Sequence, residues 1–497
     1  METNLRDFMM QMNDMRYVLL FGKSDRRLEE WAQAHAKVVE ADGLRVIFLA
    51  LYGENYTVDN FEFVNCYTLP LTVSLEEVQG CLNESINRAL ACDRSLTDYT
   101  FSASHRRYSR YSEREIESLV QVVGNALMRY VPRAEYCLEG LFDNFIAPFA
   151  FQFARRYGVK FYMIRLWQYW DKCFHVADAP GYASSVVNGY YASYYRRVRQ
   201  SMYERVATEF AAERFSAAAF DDGGLRFWAQ IVWDKFRSYE RPSLRNALSR
   251  RIRRLAGRFR GRALKITSMS ERPDKYIVFA LHVMPEASIL GTNPEVADQF
   301  SLLRRMSLNV PLGVHILCKP HPGDRYGVHL EMEFLRSLCS LHNVSLTPER
   351  ERIDTFLSDE RCVAVATING SVALEAVMAD KPCFLLGDGL FSIADCFLKP
   401  GGDKELFEQV QAVLQGRYSV DRAAVTAIIL SMKRALVRGG GSQKAPGTWL
   451  DFYVSLLRPI HGYHKEIGRR RRRTGVERVA LERSSPQAVF ERTGTGK

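Results

Sequence analysis

The chain has 497 residues, 47% of them apolar and 25% charged, a globular composition with room for two domains of roughly 200 residues each. No run approaches the roughly 18 apolar residues of a membrane span, and the ten cysteines form no Cys-x-x-Cys pair, so neither a zinc site nor a disulfide framework is indicated. The net charge of +11 is local: residues 237–265 carry +10 and residues 465–497 carry +6, leaving −5 on the rest of the chain, which argues against a whole-protein nucleic-acid footprint.

The N-terminus, METNLRDFMMQMNDMRYVLL, carries acids and lacks the order of a secretory signal, so a cytoplasmic protein is expected. RYVLLFG reads as a buried strand, RRLEEWAQAHAKVVEADG as a helix and RVIFLAL as a second strand. That order implies a parallel sheet with helices on its faces. The acidic, aromatic stretch 90–115 reads as a helical or loop insertion. The strand–helix–strand pattern returns at AEYCLEG, FDNFIAPFAFQFARRYG and KFYMIRL. Residues 190–233 read as helical and tyrosine-rich, without a strand.

In SLRNALSRRIRRLAGRFRG, Leu244, Leu248, Ile252, Leu255 and Phe259 fall on one helical face, with arginines on the others. Two readings stand side by side: a linker helix packed on a domain, or a helix over residues 244–262 lying on an anionic membrane surface. A second α/β unit begins at DKYIVFALH and continues through the strands GVHILCK, CVAVAT and PCFLLGD. EVADQFSLLRRMSL, YGVHLEMEFLRSLCSLH and SVALEAVMA lie between them as helices. The expected fold is α/β, with two Rossmann-like domains facing a cleft. Its parts are an N-terminal acceptor-side domain (1–235), a basic linker (236–270), a C-terminal nucleotide-sugar-binding domain (271–460) and a basic, disordered tail (461–497).

Ligands of such sheets sit at the carboxyl ends of the strands, and the second unit concentrates polar motifs there. LHVMPEAS puts His282 and Glu286 after its first strand. CKPHP sets Lys319 and His321 about two prolines, which stiffen the strand exit. TINGSVALEA supplies a polar turn of Thr367, Asn369 and Gly370. Ser371 then sits where a helix cap would be, with anion-binding N–H groups behind it. Glu375 lies one turn on, where a carboxylate could accept two hydrogen bonds from a ribose diol.

The ordered set LHVMPEAS, PLGVHILCKPHP and TINGSVALEAVMADKPCFLLGD, spanning residues 276–387, resembles the capsular polysaccharide biosynthesis family that includes the bacterial β-Kdo transferases. That resemblance implies a GT-B-like fold and a nucleotide-activated sugar donor, CMP-Kdo in the family's known transferases. Lys319 and His321 would then face the donor phosphate and the departing nucleotide. No Asp-x-Asp motif lies near this rim, so the expected mechanism uses neither metal nor cofactor. The acceptor would be a lipid-linked or polysaccharide glycan, and the place of work the inner face of the cytoplasmic membrane.

Glycosyl transfer also needs a carboxylate. Glu139, at the end of AEYCLEG, is best placed by strand logic, followed by Asp143 and by Asp171 and Asp178 in WQYWDKCFHVADAPG. Two other readings remain open. One is a polyol-phosphate transferase or sugar-nucleotide epimerase on a related scaffold; the other is a non-catalytic module binding membrane or nucleic acid.

Overall fold

The computed structural model describes residues 16–21, 26–51, 54–81, 113–139, 146–166, 173–177, 184–198, 202–213, 264–282, 296, 298–321, 332–349, 351–438 and 461. The basic stripe 244–262 and all of the basic tail except His461 lie outside them.

The first unit is built on an eight-stranded sheet. Its strands are β1 (Tyr17–Phe21), β2 (Arg45–Ala50), β3 (Tyr56–Val58), β4 (Phe61–Asn65), β5 (Ala134–Glu139), β6 (Lys160–Leu166), β7 (Cys173–Ala177) and β13 (Val437–Arg438). Five of them run parallel in the order β4-β2-β1-β5-β6, β3 and β7 flank them antiparallel, and β13 pairs antiparallel with β7 at the outer edge. Alternation along β1 sorts its side chains between two cores. Tyr17, Leu19 and Phe21 pack with Val123, Leu127 and Phe153 of helices Glu113–Tyr130 (α3) and Ile146–Arg156 (α4). Val18 and Leu20 pack with Ala32, Ala36 and Val39 of helix Arg26–Val39 (α1). The short helix Leu75–Gln79 (α2) opens on a capping box between Ser74 and Glu77.

The second unit holds five parallel strands: β8 (Tyr276–Ala280), β9 (His315–Lys319), β10 (Val344–Leu346), β11 (Cys362–Thr367) and β12 (Cys383–Leu385), ordered β10-β9-β8-β11-β12. On one face Ile277 and Phe279 meet Leu303 and Met306 of α7 (Gln299–Asn309) and Leu335 and Leu338 of α8 (Met332–Cys339). On the other face, Val278 and Leu317 cover Phe356 of the short helix Asp354–Leu357 (α9). Val365 packs there with α10 (Val372–Met378) and α12 (Arg422–Ala435). The remaining helix, α11 (Asp403–Leu414), sets Leu406 and Val410 into the first of these faces.

Both parallel sheets therefore share one order, the third, second, first, fourth and fifth strands side by side. Strand order reverses next to the first strand in each, between β1 and β5 and between β8 and β11. Those reversal points open the crevices in which α/β sheets bind ligands. The α/β class and the pair of Rossmann-like units are as expected.

Two connections cross the expected boundaries. Helices α5 (Ser185–Tyr195) and α6 (Tyr203–Glu213) precede residue 235, yet Val187, Tyr191, Tyr203, Val206 and Phe210 join the core around α10 and α12. The Tyr203 hydroxyl donates to the Met378 carbonyl at 2.9 Å. In the other direction, β13 follows α12 directly and pairs with β7 of the first sheet. Farther on, His461 contacts Tyr136 and Asp42 of the first unit. Among the described residues, no helix is long and apolar enough to cross a membrane.

Candidate functional site

The second sheet's reversal point is built from the ends of β8 and β11. These strands are hydrogen-bonded neighbours with Val278 opposite Val365 and Phe279 opposite Ala366. Their trailing residues therefore leave the sheet side by side. His282 follows β8, is 7% exposed, and sets its Nε2 3.1 Å from the Thr367 hydroxyl at the end of β11. Thr367 in turn accepts the Gly370 backbone N–H at 3.2 Å. The backbone beyond Thr367 stays pinned on its far side: Leu386 N–H donates to the Thr367 carbonyl and Gly387 N–H to that of Ile368, each at 2.9 Å. The turn Thr367–Gly370 is thus held by main-chain bonds on one flank and by an imidazole on the other.

Gln299, at the start of α7, completes this corner. Its Oε1 accepts the His282 backbone N–H at 2.9 Å and its Nε2 donates to the His282 carbonyl at 3.1 Å. Asp298 caps the same helix, accepting from the N–H groups of Phe300 and Ser301. Sequence reasoning passed over Gln299. The available signal was its place on the buried stripe that continues through Leu302, Leu303 and Met306, an amide where that face is otherwise apolar.

The CKPHP exit stands on β9, the neighbour of β8 on its other side. Lys319 is only 6% exposed, its Nζ donates to the Pro320 carbonyl at 3.2 Å, and its carbonyl accepts from Leu281 N–H at 2.8 Å. Burial lowers its pKa, while the carboxylates of Glu375, Glu351 and Asp354 pull the other way. The Glu375 charge reaching Lys319 links two of the three expected motifs. His321 lies beyond the strand and is exposed.

Ser371 occupies the N-cap position of α10 as expected, but its backbone is helical and its side chain makes no capping bond. The cap expectation is met in position and not in chemistry. With seven residues, the helix is also a short source of dipole. Asn369, Gly370, Ser371 and Glu375 are half-buried, and Glu286 lies outside the described residues.

In the first sheet, Glu139 ends β5 at the reversal point, opposite Phe21 of β1 and Met163 of β6. It is 1% exposed, an unusual setting for a carboxylate that serves only solvation. Asp143, Asp171 and Asp178 lie outside the described residues. Asp171 and Asp178 come before and after β7, which runs antiparallel to β6 and brings Ala177 back beside Met163, level with Glu139. The structure brings together His282, Lys319, Thr367, Gly370 and Glu375 around β8, β9 and β11, and it sets Glu139 on the other sheet.

Residues 190–396 match the model of the family described as capsule polysaccharide biosynthesis protein. No curated protein matches the chain. Among solved structures, similarity is found to Anabaena HepE in complex with UDP and glucose, 13% identical, covering 84% of this chain and 95% of that one with a TM-score of 0.25. It is found also to WaaG, a glycosyltransferase involved in lipopolysaccharide biosynthesis, 11% identical over 89% and 99%, TM-score 0.29. A third is UDP-GlcNAc 2-epimerase from Neisseria meningitidis, 11% identical over 84% and 98%, TM-score 0.25. At those scores the structural likenesses carry no argument about chemistry. The resemblance read from the three motifs is shown by the family match: over residues 190–396 this chain is similar to the capsule polysaccharide biosynthesis proteins, and the whole second-sheet site lies inside that stretch.

Proposed function

We propose that this chain is a metal-independent glycosyltransferase of capsule or surface-polysaccharide synthesis. It would take a sugar, with Kdo as the first candidate, from a nucleotide-activated donor to a lipid-linked or polysaccharide acceptor. The observation that carries the reading is the interlocked corner of His282, Thr367 and Gly370 at the reversal point of a parallel sheet, inside the stretch that matches a capsule-synthesis family.

In this reading the nucleotide lies across the ends of β8, β9 and β11. The bond between the anomeric carbon and the phosphate oxygen breaks, and its electron pair leaves with the nucleotide. Lys319 and His321 stabilise that charge from a proline-stiffened exit, so little reorganisation is needed. Glu139 accepts the proton of the attacking acceptor hydroxyl, or itself attacks the anomeric carbon ahead of the acceptor. Its burial at the matching point of the first sheet supports this role, with Asp143, Asp171 and Asp178 as the alternative carboxylates. The Leu244–Phe259 stripe is the proposed contact with an anionic membrane carrying a lipid-linked acceptor, and vesicle co-sedimentation reads that contact.

A thermal-shift series with UDP, CMP, GDP and ADP tests the donor class. A bound nucleotide at one hundred times its Kd adds about 2.7 kcal/mol of stability by mass action. One base is expected to raise the melting temperature well above the others. A melting temperature indifferent to all four would contradict the reading.

A further inference from the structure

Leu308 and Leu312 are 72% and 96% exposed, the two most exposed large apolar side chains among the described residues. Both belong to the pole of the second unit where its strands begin, opposite the ligand rim. Leu308 lies on α7, one turn beyond exposed Arg304 and on the same side of the helix. Leu312 stands on the five-residue link 310–314 from α7 to β9. That link is bent by its own residues: Pro311 fixes φ, Val314 N–H closes a turn on the Pro311 carbonyl at 3.1 Å, and Gly313 supplies a φ of +85°. A link so short and so constrained holds Leu312 outward.

The surroundings of the two leucines are basic. Lys275 precedes β8 and its carbonyl accepts the His315 N–H at 3.1 Å, while the Lys265 Nζ donates to the His342 carbonyl at 3.3 Å. Lys265, Lys275 and His342 are exposed. Burial lowers the His315 pKa, and nearby Lys265 and His342 lower it further. The acids of this pole turn toward the start of β11. Asp359 pairs there with Arg272 and Arg361, the Asp274 charge acts on Arg361, and Glu360 lies between Asp359 and Arg361 in sequence. Lys265 is also the last residue of the stretch 237–265 that carries +10, so that charge enters the second unit at this pole. Leucines lack the aromatic faces on which nucleic-acid bases stack. Aliphatic side chains ringed by cations suit an anionic bilayer instead, apolar groups at the acyl boundary and cations at the lipid phosphates.

We propose that this pole is a membrane-docking face, with Leu308 and Leu312 entering an anionic bilayer while Arg304, Lys265 and Lys275 meet its lipid phosphates. Docking there sets the ligand rim about 17 Å from the lipid surface, the length of the five-residue strand β9. The face is distinct from the Leu244–Phe259 stripe and does not depend on glycosyl-transfer chemistry.

The test is co-sedimentation of the full-length chain with vesicles of phosphatidylcholine, pure or mixed with phosphatidylglycerol, each variant being checked for an unchanged melting temperature. The wild type should prefer the mixed vesicles. Leu308→Ser combined with Leu312→Ser should weaken that binding at least about tenfold. Lys265→Gln and Lys275→Gln should each weaken it about fivefold, on the mixed vesicles alone. Leu71→Ser, at a leucine of the first unit that is 55% exposed, should change nothing. Depth is read separately: Leu312→Trp should add emission, over that of the wild type, that brominated acyl chains quench. A wild type that ignores mixed vesicles overturns the proposal, as does unchanged affinity in the double serine variant or unquenched emission from Leu312→Trp. Self-association lost in the double variant, with vesicle affinity kept, would assign the leucines to a second copy of this chain and overturn it as well.

Discussion

Lys319 and Glu375 come from motifs more than fifty residues apart, and the Glu375 carboxylate favours the charge that burial of Lys319 opposes. Around that pair, His321 and Ser371 are the residues whose removal tests nucleotide binding. His321 is exposed, and Ser371 contributes no capping bond to its helix. His321→Ala and Ser371→Ala are each expected to weaken the preferred nucleotide by about 1.5 to 3 kcal/mol, the value of a hydrogen bond to a charged group. Calorimetric titration of the folded variants checks this, and unchanged affinity in both would remove these two side chains from the site. A different residue contributes to the pH dependence of stability. His35 is 0% exposed, with its Nε2 2.9 Å from the Tyr136 hydroxyl, which in turn meets His461 Nδ1 at 3.2 Å. Burial, reinforced by neighbouring His461, lowers the His35 pKa to about 3. The unfolded chain takes up that proton near pH 6.5, and the folded chain only near 3. The stability contribution of neutral His35 is therefore present above about pH 6.5 and is lost as pH falls, by about 1.4 kcal/mol per unit down to about pH 3. Denaturant titrations at pH 7, 6 and 5 should show a shallower decline in His35→Gln than in the wild type. Equal slopes would contradict the assignment.

At the scale of elements, a buried charge cluster fastens the approach to β8 onto the α9 region. The Arg272 side chain has no exposed surface; it pairs with Glu351, lies 3.0 Å from Asp359, and stacks 4.0 Å from the Phe356 ring centre. Burial works against the Asp359 charge, but hydrogen bonds from Arg361, Tyr276 and Arg272 outweigh it and hold the carboxyl well below the usual range. Arg272→Met keeps the bulk, takes the buried guanidinium from Glu351 and leaves Asp359 to Arg361 and Tyr276, so a loss of about 3 kcal/mol in denaturant stability is expected. A loss under about 1 kcal/mol would mean that solvent already screens the cluster. None of this cluster was legible in the sequence, because Arg272, Glu351 and Asp359 meet only after the chain has closed. The long strands were legible, since β1, β5, β8, β9 and β11 are apolar runs bounded by turns. The three-residue strand β10 and the two-residue β13 carry no periodic signal, and the edge strand β3 and strand β7, between β6 and β13, take their place from pairing. For α5 and α6 the sequence indicated helices, but periodicity does not say which core an apolar face will meet. Of the site, the motifs on β9 and β11 were legible as chemistry. Gln299 was not, because its partner is a backbone and backbone partners leave no pattern.

In the molecule as a whole, two parallel sheets of the same strand order each present a reversal point. One is furnished with His282, Thr367 and the neighbouring Lys319, the other with buried Glu139. The proposed function divides the work between them, donor binding on the second sheet and proton handling or attack on the first. That division separates two observables that a merely structural Glu139 would not separate. Glu139→Gln keeps the shape and the hydrogen-bonding capacity of the side chain and removes its basicity. The direct measurement is nucleotide release from a nucleotide-sugar donor on addition of a lipid-linked or polysaccharide acceptor, alongside donor affinity, for the wild type and Glu139→Gln. The account predicts acceptor-dependent release by the wild type, and in the variant at least about a 100-fold fall in rate with donor affinity retained. Near wild-type release by Glu139→Gln, or a wild type that turns over no nucleotide sugar, would contradict it.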